Sequence, residues 1–285
     1  MRGVVEKSVT GGRQRSLIVR AVRRSPLQRL TVRRLTAGRR QWPDFVIIGA
    51  QRAGTTSLTQ WLYAHPQVKA ARARELHYFD LNYGLGPNWY RSNFPVRSEG
   101  QISGESTPYL LFHPLAPERV ARDLPETTRF IVLLREPVER AISQYWLNRR
   151  CGHEPLPFRD AVDRERERLA GQEEIIRRGQ LSDSHQRFSY VARGRYAEQL
   201  QRWFRHVHQE RILVVQSEEL FESTVVADGV QRWLGLEASG QPFPRGNDAV
   251  RHEEIDSDVI DRLRTHFAPL NQDLEDLLGR PFWRP

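Results

Sequence analysis

The sequence predicts an α/β fold in three layers, with a central, mainly parallel sheet flanked by helices. Three short apolar runs support this prediction: "DFVIIGA" (44–50), "TRFIVLLREP" (128–137) and "RILVVQSEEL" (211–220). Such runs, rich in Val, Ile and Leu, are typical of parallel strands buried on both faces. A segment with helical periodicity follows each of them, and this alternation predicts a doubly wound sheet that binds ligands at the carboxyl ends of its strands.

The elements of the first half can be justified in order. After the first strand, "TTSLTQWLYAHP" (55–66) predicts a helix, because Leu58, Trp61 and Leu62 are spaced to share one apolar face and Pro66 follows its end. The next elements are an extended or loop segment (68–80), a short helix between Pro87 and Pro95, a strand (101–107), a helix (114–123), the strand at 128–137 and a helix directly after it, "VERAISQYWLNRR".

The second half is more highly charged. We expect one helix near 158–170, followed by a mobile segment to residue 195 that could cover a site. The remaining predicted elements are a helix (196–207), the strand at 211–220, a helix (225–236), a looser stretch (237–250) and a final helix (256–278). The final helix has an apolar face, formed by Leu263, Phe267, Leu270, Leu274 and Leu277.

The charge distribution divides the chain into an arm (1–41) and a single domain (42–285). Twelve Lys and Arg residues against one acid give the arm a charge of +11, so the other 244 residues carry −2 of the chain's net +9. A surplus confined to a tail gives no reason to assign the domain to nucleic acid. The arm is either disordered and solvated or a loosely amphipathic helix on an anionic membrane surface.

Two further features bear on location and chemistry. No apolar run approaches the roughly 20 residues that span a bilayer, and no secretory signal is visible, so we expect a cytoplasmic protein. Cys151 is the only cysteine, which excludes an internal disulfide and any multi-cysteine metal site.

A Gly- and Thr-rich loop follows the first strand. Gly49 and Gly54 have the G-x-x-x-x-G spacing of a Walker A loop, but Thr55 occupies the position of that motif's Lys. The loop can still bind a phosphate, because backbone N–H groups at the start of a helix favour an anion whatever the side chains. Side chains add donors: the guanidinium of Arg52 and the hydroxyls of Thr55, Thr56 and Ser57.

The strand at 128–137 ends with a cation. A magnesium-dependent NTPase normally has an acid there that helps to hold the metal, whereas this strand ends with Arg135. Arg135 would repel magnesium and attract a second phosphate, and Ser143 lies about two turns into the next helix. The sequence therefore predicts a site for two anionic groups and no metal ion.

Four segments together resemble the sulfotransferases that use 3′-phosphoadenosine 5′-phosphosulfate (PAPS), specifically the branch of the heparan sulfate sulfotransferases. These segments are "GAQRAGTTSL", "ELHYFD", "GESTPYL" and "RFIVLLREPVERAISQYW". The similarity covers roughly residues 43–150, with weaker similarity in "ARGRYAEQLQRWF" and "FAPLNQDLEDLLG". The resemblance implies a P-loop-like fold and PAPS as sulfuryl donor.

The resemblance also implies roles for individual residues. The loop for the 5′-phosphosulfate falls on 49–57, including Arg52, Ala53, Gly54, Thr55, Thr56 and Ser57, and the 3′-phosphate pair falls on Arg135 and Ser143. The family's catalytic base falls on Glu75 of "ELHYFD". His77 either orients Glu75, acts as the base itself, or is a packing residue.

Two positions depart from the family pattern. Arg52 stands where the family usually has Lys, and Arg is a poorer proton donor although it carries the same charge. Ser106, in "GESTPYLLF", replaces a Lys that lies near the sulfate in the animal heparan enzymes. The second departure weakens the case for a polyanionic glycan acceptor. Arginines in 172–195 could contact an acidic acceptor, but we expect a charged, solvated flap.

The predicted function is a metal-independent transfer of a sulfuryl group from PAPS to a hydroxyl of a carbohydrate, glycolipid or other small metabolite. One alternative is a P-loop kinase, which Thr55 and Arg135 disfavour. The other is a non-catalytic module that binds nucleotides or nucleic acid, with the basic arm supplying the affinity. That alternative predicts a steep salt dependence of binding that is lost when residues 1–41 are deleted.

Overall fold

Parallel strands form the central sheet of the computed structural model, which describes residues 37–244 and 255–283. The strands are β1 (Phe45–Gly49), β2 (Val68–Ala70), β3 (Ile102–Ser106), β4 (Arg129–Leu134) and β5 (Ile212–Gln216). Their order across the sheet is β2-β3-β1-β4-β5, and every neighbouring pair is parallel. The predicted α/β class and parallel sheet are confirmed.

Helices pack around this sheet and follow most of its strands. In the first half they are α1 (Thr55–Tyr63), α2 (Pro87–Arg91), α3 (Ala116–Asp123) and α4 (Pro137–Arg150). In the second half they are α5 (Phe158–Asp163), α6 (Glu165–Leu169), α7 (Gln172–Arg177), α8 (Asp183–Arg187), α9 (Tyr196–Phe204), α10 (Ser217–Glu222), α11 (Thr224–Trp233) and α12 (Ser257–Leu278).

The sheet is apolar because helices cover both of its faces. All five residues of β1 are buried, as are the last five of β4. A second cluster of buried apolar side chains lies between α4 and α12 and includes Val138, Tyr145 and Phe267. This second cluster fixes α4 beside the end of β4, which matters for the site described below.

The order of the strands places the ends of β1, β3 and β4 side by side. The chain first adds β2 and β3 on one side of β1 and then β4 and β5 on the other, so the direction of winding reverses at β1. The segment after β3 returns to β1, since the Leu111 N–H donates to the Ile48 carbonyl (2.8 Å). Gly49 allows this approach, because a Cβ there would lie 2.6 Å from the Leu111 Cβ.

The chain between α4 and α9 differs from the sequence prediction. The helix expected near 158–170 is divided into α5 and α6, and the segment expected to be mobile contains α7 and α8. At the start of α6, the buried carboxylate of Glu165 accepts hydrogen bonds from the Val191 N–H (2.7 Å) and the Ala192 N–H (2.8 Å). The polar residues of this region thus bind its own backbone.

Most of the predicted basic arm, residues 1–36, lies outside the described residues, and so do residues 245–250 of the predicted loose stretch. The last residues of the arm, 37–41, lie against the domain, where Arg40 donates to the Phe94 carbonyl (2.9 Å). Among the helices within 37–244 and 255–283, none has the combination of length and apolarity that a membrane span requires.

Candidate active site

The loop between β1 and α1 has the geometry of an anion-binding loop. Gly54 immediately precedes α1 with φ 94°, a left-handed conformation that favours glycine, and it has no side chain with which to cap the helix. The first N–H groups of a helix have no partner within the helix. Ala53 and Thr55 are buried, whereas Thr56 is exposed. The start of α1 therefore offers backbone donors beside the exposed Thr56 hydroxyl.

Arg52 links this loop to the other predicted anion-binding residues. Its Nε–H donates to the Ser143 Oγ on α4 (3.1 Å), and its carbonyl lies 3.5 Å from the Arg135 Nη1 at the end of β4. The two strand ends thus bring together Arg52, Arg135 and Ser143, although 83 and 91 residues separate Arg135 and Ser143 from Arg52. This is the grouping that the sequence predicts.

The electrostatics of this group suit an anion. Burial lowers the pKa of the Arg52 guanidinium, and three neighbouring cations lower it further: Arg150, Arg135 and Arg140. An internal acid offsets only part of this charge, since Arg135 forms an ion pair with Glu139 (3.3 Å). Like charges held this close repel one another, and an added anion would relieve the repulsion.

Arg140 is a member of this cation group that the sequence analysis missed. It is fully buried on α4, where its Nη1 donates to the Gln144 Oε1 (2.7 Å) and its Nη2 donates to the Tyr190 carbonyl. Its spacing of three residues from Ser143 places both on one helix face, and this spacing could have identified it. Arg150, also missed, ends the same helix.

Three ionisable side chains meet in the turn "ELHYFD". The His77 Nδ1–H donates to the Asp80 Oδ2 (2.7 Å), and the His77 Nε2 lies 3.4 Å from the Glu75 Oε2. The Asp80 carboxylate is fully buried, whereas the Glu75 side chain is 53% exposed and so open to a substrate. Asp80 was missed, although an acid three residues after His77 is visible in the sequence.

Buried Asp80 controls the charge of His77. Burial alone would lower the pKa of His77, but the carboxylates of Asp80 and Glu75 raise it to about 10. The imidazole is therefore protonated at neutral pH. The turn itself is left-handed and not extended, since Glu75 and His77 both have φ 51°.

This turn lies at the same edge of the sheet as the anion-binding loop. The Glu75 N–H donates to the Ser106 carbonyl at the end of β3 (3.0 Å), and the Thr107 N–H donates to the Ile47 carbonyl of β1 (3.0 Å). Ser106 itself is buried. Glu75 thus lies at the carboxyl end of β3, beside the end of β1, and its carboxylate is exposed there.

The arginines of 172–195 are not all part of a solvated flap. Arg177 and Arg178 are exposed, Arg195 is half-buried, and each is paired with an acid about one turn away, as expected for a solvated face. Arg193, in contrast, is buried, donates to the Gln51 side chain in the anion-binding loop and lies over the ring of Tyr109 (4.9 Å). This segment therefore packs against the loop.

Within the residues that the structure describes, His, Cys, Asp and Glu side chains form no cluster of three or more that could hold a metal ion. The absence of a metal from the reaction remains a prediction, because only binding and activity measurements test it.

Fold and site together define a P-loop-like α/β protein with an anion-binding loop and a carboxylate–imidazole pair at one sheet edge. The chain belongs to the Sulfotransferase domain family, whose profile matches residues 42–266. It is 33% identical to human heparan sulfate glucosamine 3-O-sulfotransferase 3A1 over 87% of this chain and 64% of that protein. It is 31% identical to mouse heparan sulfate glucosamine 3-O-sulfotransferase 6 over 86% of this chain and 74% of that protein.

A solved structure agrees with this assignment. The crystal structure of a sulfotransferase from Alicyclobacillus acidocaldarius superposes with a TM-score of 0.66 and 27% identity, covering 85% of this chain and 98% of that one. The resemblance stated from the motifs is confirmed. The matched part nevertheless spans only about two thirds of the length of human heparan sulfate glucosamine 3-O-sulfotransferases 3A1 (64%) and 3B1 (66%).

Proposed function

We propose that this protein is an O-sulfotransferase that transfers a sulfuryl group from PAPS to a hydroxyl of a carbohydrate, glycolipid or other small metabolite, without a metal ion. The hydrogen bond between the Arg52 Nε and the Ser143 Oγ (3.1 Å) is the observation that carries the proposal. It joins two separate anion-binding elements into one site, as a donor with phosphates at both ends of its ribose requires.

The residues of the site fit this donor. Arg52 and the backbone of Ala53 and Gly54 would hold the 5′-phosphosulfate, together with the hydroxyls at the start of α1, Thr55, Thr56 and Ser57. Arg135 and Ser143 would hold the 3′-phosphate. When bound, the donor supplies the sulfuryl group. Both phosphate groups would meet guanidinium groups, which suit phosphate because they offer several donors in one plane.

Glu75 is the general base in this proposal. Its exposed carboxylate takes the proton of the acceptor hydroxyl as the hydroxyl oxygen bonds to sulfur, and the sulfur bond to the bridging oxygen of the donor breaks. His77 is protonated at neutral pH, because Asp80 and Glu75 hold its pKa near 10, so it has no free nitrogen to accept a proton. This charge supports Glu75 as the base and gives His77 the task of orienting it.

Arg52 would neutralise the charge that develops on the departing bisphosphate. Its pKa is lowered, first by burial, but no acid of the described loop competes for its guanidinium. A preorganised cation in a site with little water stabilises charge more than it would in bulk solvent. Ser106 supplies no cation of its own, so Arg52 would do this work without the Lys of the animal enzymes.

The acceptor class follows from the relatives by analogy. Their names identify glucosamine residues of heparan sulfate as what they act on, which supports a glycan hydroxyl here. A cytoplasmic location remains a proposal, to be tested by fractionating cells that express the full chain. So does the contact between the basic arm and an anionic membrane, to be tested with phosphatidylserine vesicles and a chain lacking residues 1–41.

Calorimetry of nucleotide binding tests the proposal. The purified full chain is titrated with adenosine 3′,5′-bisphosphate in EDTA, and with ATP in the presence and absence of magnesium. Tight, metal-free binding of the bisphosphate with much weaker binding of ATP is expected. Transfer of label from ³⁵S-PAPS to heparan sulfate and to a panel of neutral glycans then tests the acceptor. Magnesium-dependent ATP binding with no preference for the 3′-phosphate would overturn the proposal in favour of a kinase.

A further inference from the structure

Three consecutive backbone N–H groups of the "ELHYFD" turn bond to three consecutive residues at the end of β3. The Glu75 N–H donates to the Ser106 carbonyl (3.0 Å), the Leu76 N–H to the Glu105 Oε2 (3.4 Å) and the His77 N–H to the Thr107 Oγ1 (3.4 Å). Two of these three acceptors are side chains. The position of the turn therefore depends on which residues end β3, and not only on the backbone path.

The two side-chain acceptors are themselves joined. The Thr107 hydroxyl donates to the Glu105 Oε2 (2.7 Å), and the Tyr90 hydroxyl donates to the Glu105 Oε1 (3.1 Å). Glu105 and Thr107 are both fully buried, so neither can exchange its partners for water. The Thr107 hydroxyl thus connects the turn to Glu105, because it accepts a hydrogen bond from the His77 N–H and donates one to the Glu105 carboxylate.

A buried carboxylate is expensive to keep in a fold, and packing alone does not require one at this position. An apolar residue would fill the same volume at the end of β3. The Glu105 carboxylate instead accepts hydrogen bonds from the Leu76 N–H of the turn and from the hydroxyls of Thr107 and Tyr90. This arrangement suits a residue that holds the turn in place.

We propose that Glu105 and Thr107 are positioning residues that hold Glu75 and His77 in the left-handed turn where their side chains meet. The inference rests on the proposed function, in which Glu75 is the base. Neither positioning residue would touch the substrate. They would act through two backbone N–H groups: that of Leu76, which follows Glu75 in the chain, and that of His77, whose side chain lies beside the Glu75 carboxylate.

The left-handed conformation explains why the turn needs external support. Glu75 and His77 each have φ 51°, a region that residues with a side chain rarely occupy and that the surroundings must maintain. Without the side chains that accept hydrogen bonds from the Leu76 and His77 N–H groups, the φ angles of Glu75 and His77 can relax toward negative values. The Glu75 carboxylate would then move away from the His77 Nε2, from which it is now separated by 3.4 Å.

Replacement of Thr107 offers a clean test. Thr107→Val keeps the shape of the side chain but removes the hydroxyl that connects His77 to Glu105, whereas Thr107→Ser restores it. Thr128→Val is the matched control: Thr128 is also buried and its hydroxyl donates a hydrogen bond to the Pro43 carbonyl (2.9 Å), but it precedes β4 at the opposite edge of the sheet. Glu105→Gln provides a second variant with one acceptor oxygen in place of two.

Two measurements are made on each variant. The first is the NMR titration of the His77 imidazole, which needs no acceptor. The second is kcat and KM for ³⁵S-PAPS with heparan sulfate as the acceptor. In Thr107→Val and Glu105→Gln, His77 should titrate at lower pH than in the wild type, and kcat should fall about 10²-fold, as expected for a misplaced catalytic group, with KM for PAPS within about twofold. Thr107→Ser and Thr128→Val should behave like the wild type in both measurements.

The possible outcomes separate this inference from the proposed function. If Thr107→Val and Glu105→Gln leave the His77 titration unchanged, the positioning role is wrong, whatever the activity. If Thr128→Val lowers kcat as much as Thr107→Val, a general loss of stability explains both, and the inference also fails. If the wild type transfers no label to any acceptor while His77 shifts as expected, the proposed function fails and the positioning of the turn stands.

Discussion

Replacing Arg135 with Ala tests the anion-binding site most directly. The Arg135 side chain is 32% exposed, and its guanidinium pairs with Glu139 (3.3 Å) and contacts the Arg52 carbonyl only weakly (3.5 Å). Arg135→Ala should therefore remove a contact to the 3′-phosphate while leaving the 5′ end of the nucleotide bound by the loop.

The magnitude can be bounded from the geometry. Two unit charges about 4 Å apart attract by roughly 4 kcal/mol at the effective dielectric constant of a protein surface. Competition with Glu139 reduces this figure, and measured losses of hydrogen bonds to charged groups are about 1.5–3 kcal/mol. We therefore expect the Kd of adenosine 3′,5′-bisphosphate to rise about 10- to 150-fold.

Calorimetry with two nucleotides isolates the effect. Adenosine 5′-phosphate lacks the 3′-phosphate, so its Kd should change by less than about threefold. Arg232→Ala removes one exposed charge on α11 and is a control for net charge; it should leave both affinities unchanged. Arg135→Ala should also leave the ligand-free protein at least as stable, because the substitution relieves repulsion within the cation group. An equal loss of affinity for both nucleotides would refute the assignment of Arg135 to the 3′-phosphate.

Three other predictions concern the carboxylates. Glu75→Gln should lower kcat about 10²- to 10⁴-fold with the Kd of the bisphosphate within a few-fold, measured by label transfer and calorimetry; an equal loss of binding would make Glu75 structural. Asp80→Asn should lower the pKa of His77 from about 10 by at least about one unit, measured by NMR titration, because it removes the charge that favours the imidazolium; an unshifted midpoint would contradict this. Burial raises the pKa of the Glu105 carboxyl to about 7, whereas in the unfolded chain it is near 4.5. The contribution of Glu105 to the free energy of unfolding is therefore complete below pH 4.5 and is lost as pH rises through 7. Urea unfolding of the wild type and Glu105→Gln should therefore show the wild type losing up to about 3 kcal/mol relative to the variant from pH 4.5 to 8; parallel curves would contradict it.

Sequence patterns predicted the parts of the molecule whose chemistry is local. The apolar runs at β1 and β4 are buried and the run at β5 is partly buried, and the anion-binding loop carries its own Gly and hydroxyl residues. The loop and the strand end also meet where expected, since Arg52 bonds to Ser143 (3.1 Å). Parallel strands bring their carboxyl ends to one edge, so this meeting needs no knowledge of individual contacts.

The polar residues of the interior could not be predicted in the same way. Glu105 lies in a short strand next to Ser106, and a Glu in such a pattern is usually on a solvated face. Nothing local indicates that the Leu76 N–H will donate to it, because the turn lies about 30 residues earlier in the chain. Likewise, positive φ angles at Glu75 and His77 result from tertiary contacts, and no local preference of Glu or His predicts them.

The segment expected to be mobile is a further case of buried polar residues that the sequence does not predict. Its contacts with α4 also connect it to the anion-binding loop. Polar residues recur along one face of α4 at intervals of four: Arg140, Gln144 and Asn148. A stripe of this kind is typical of a helix face exposed to solvent, yet all three side chains bind either the last residue of α8 or the segment after it. The Gln144 Nε2 and the Asn148 Nδ2 donate to the Arg187 carbonyl (2.8 and 2.7 Å), and Arg140 donates to the Tyr190 carbonyl.

This stripe gives α4 two tasks. One part of the helix presents Ser143 to Arg52 in the anion-binding loop, and the neighbouring stripe fixes the segment that delivers Arg193 to Gln51 in the same loop. The loop is thus held from two directions by contacts that depend on a single helix. Because burial among like charges destabilises Arg52, such a loop needs rigid neighbours to keep its geometry before an anion arrives. The buried polar face of α4 supplies these rigid neighbours, which explains why Arg140, Gln144 and Asn148 form hydrogen bonds in the interior and do not face solvent.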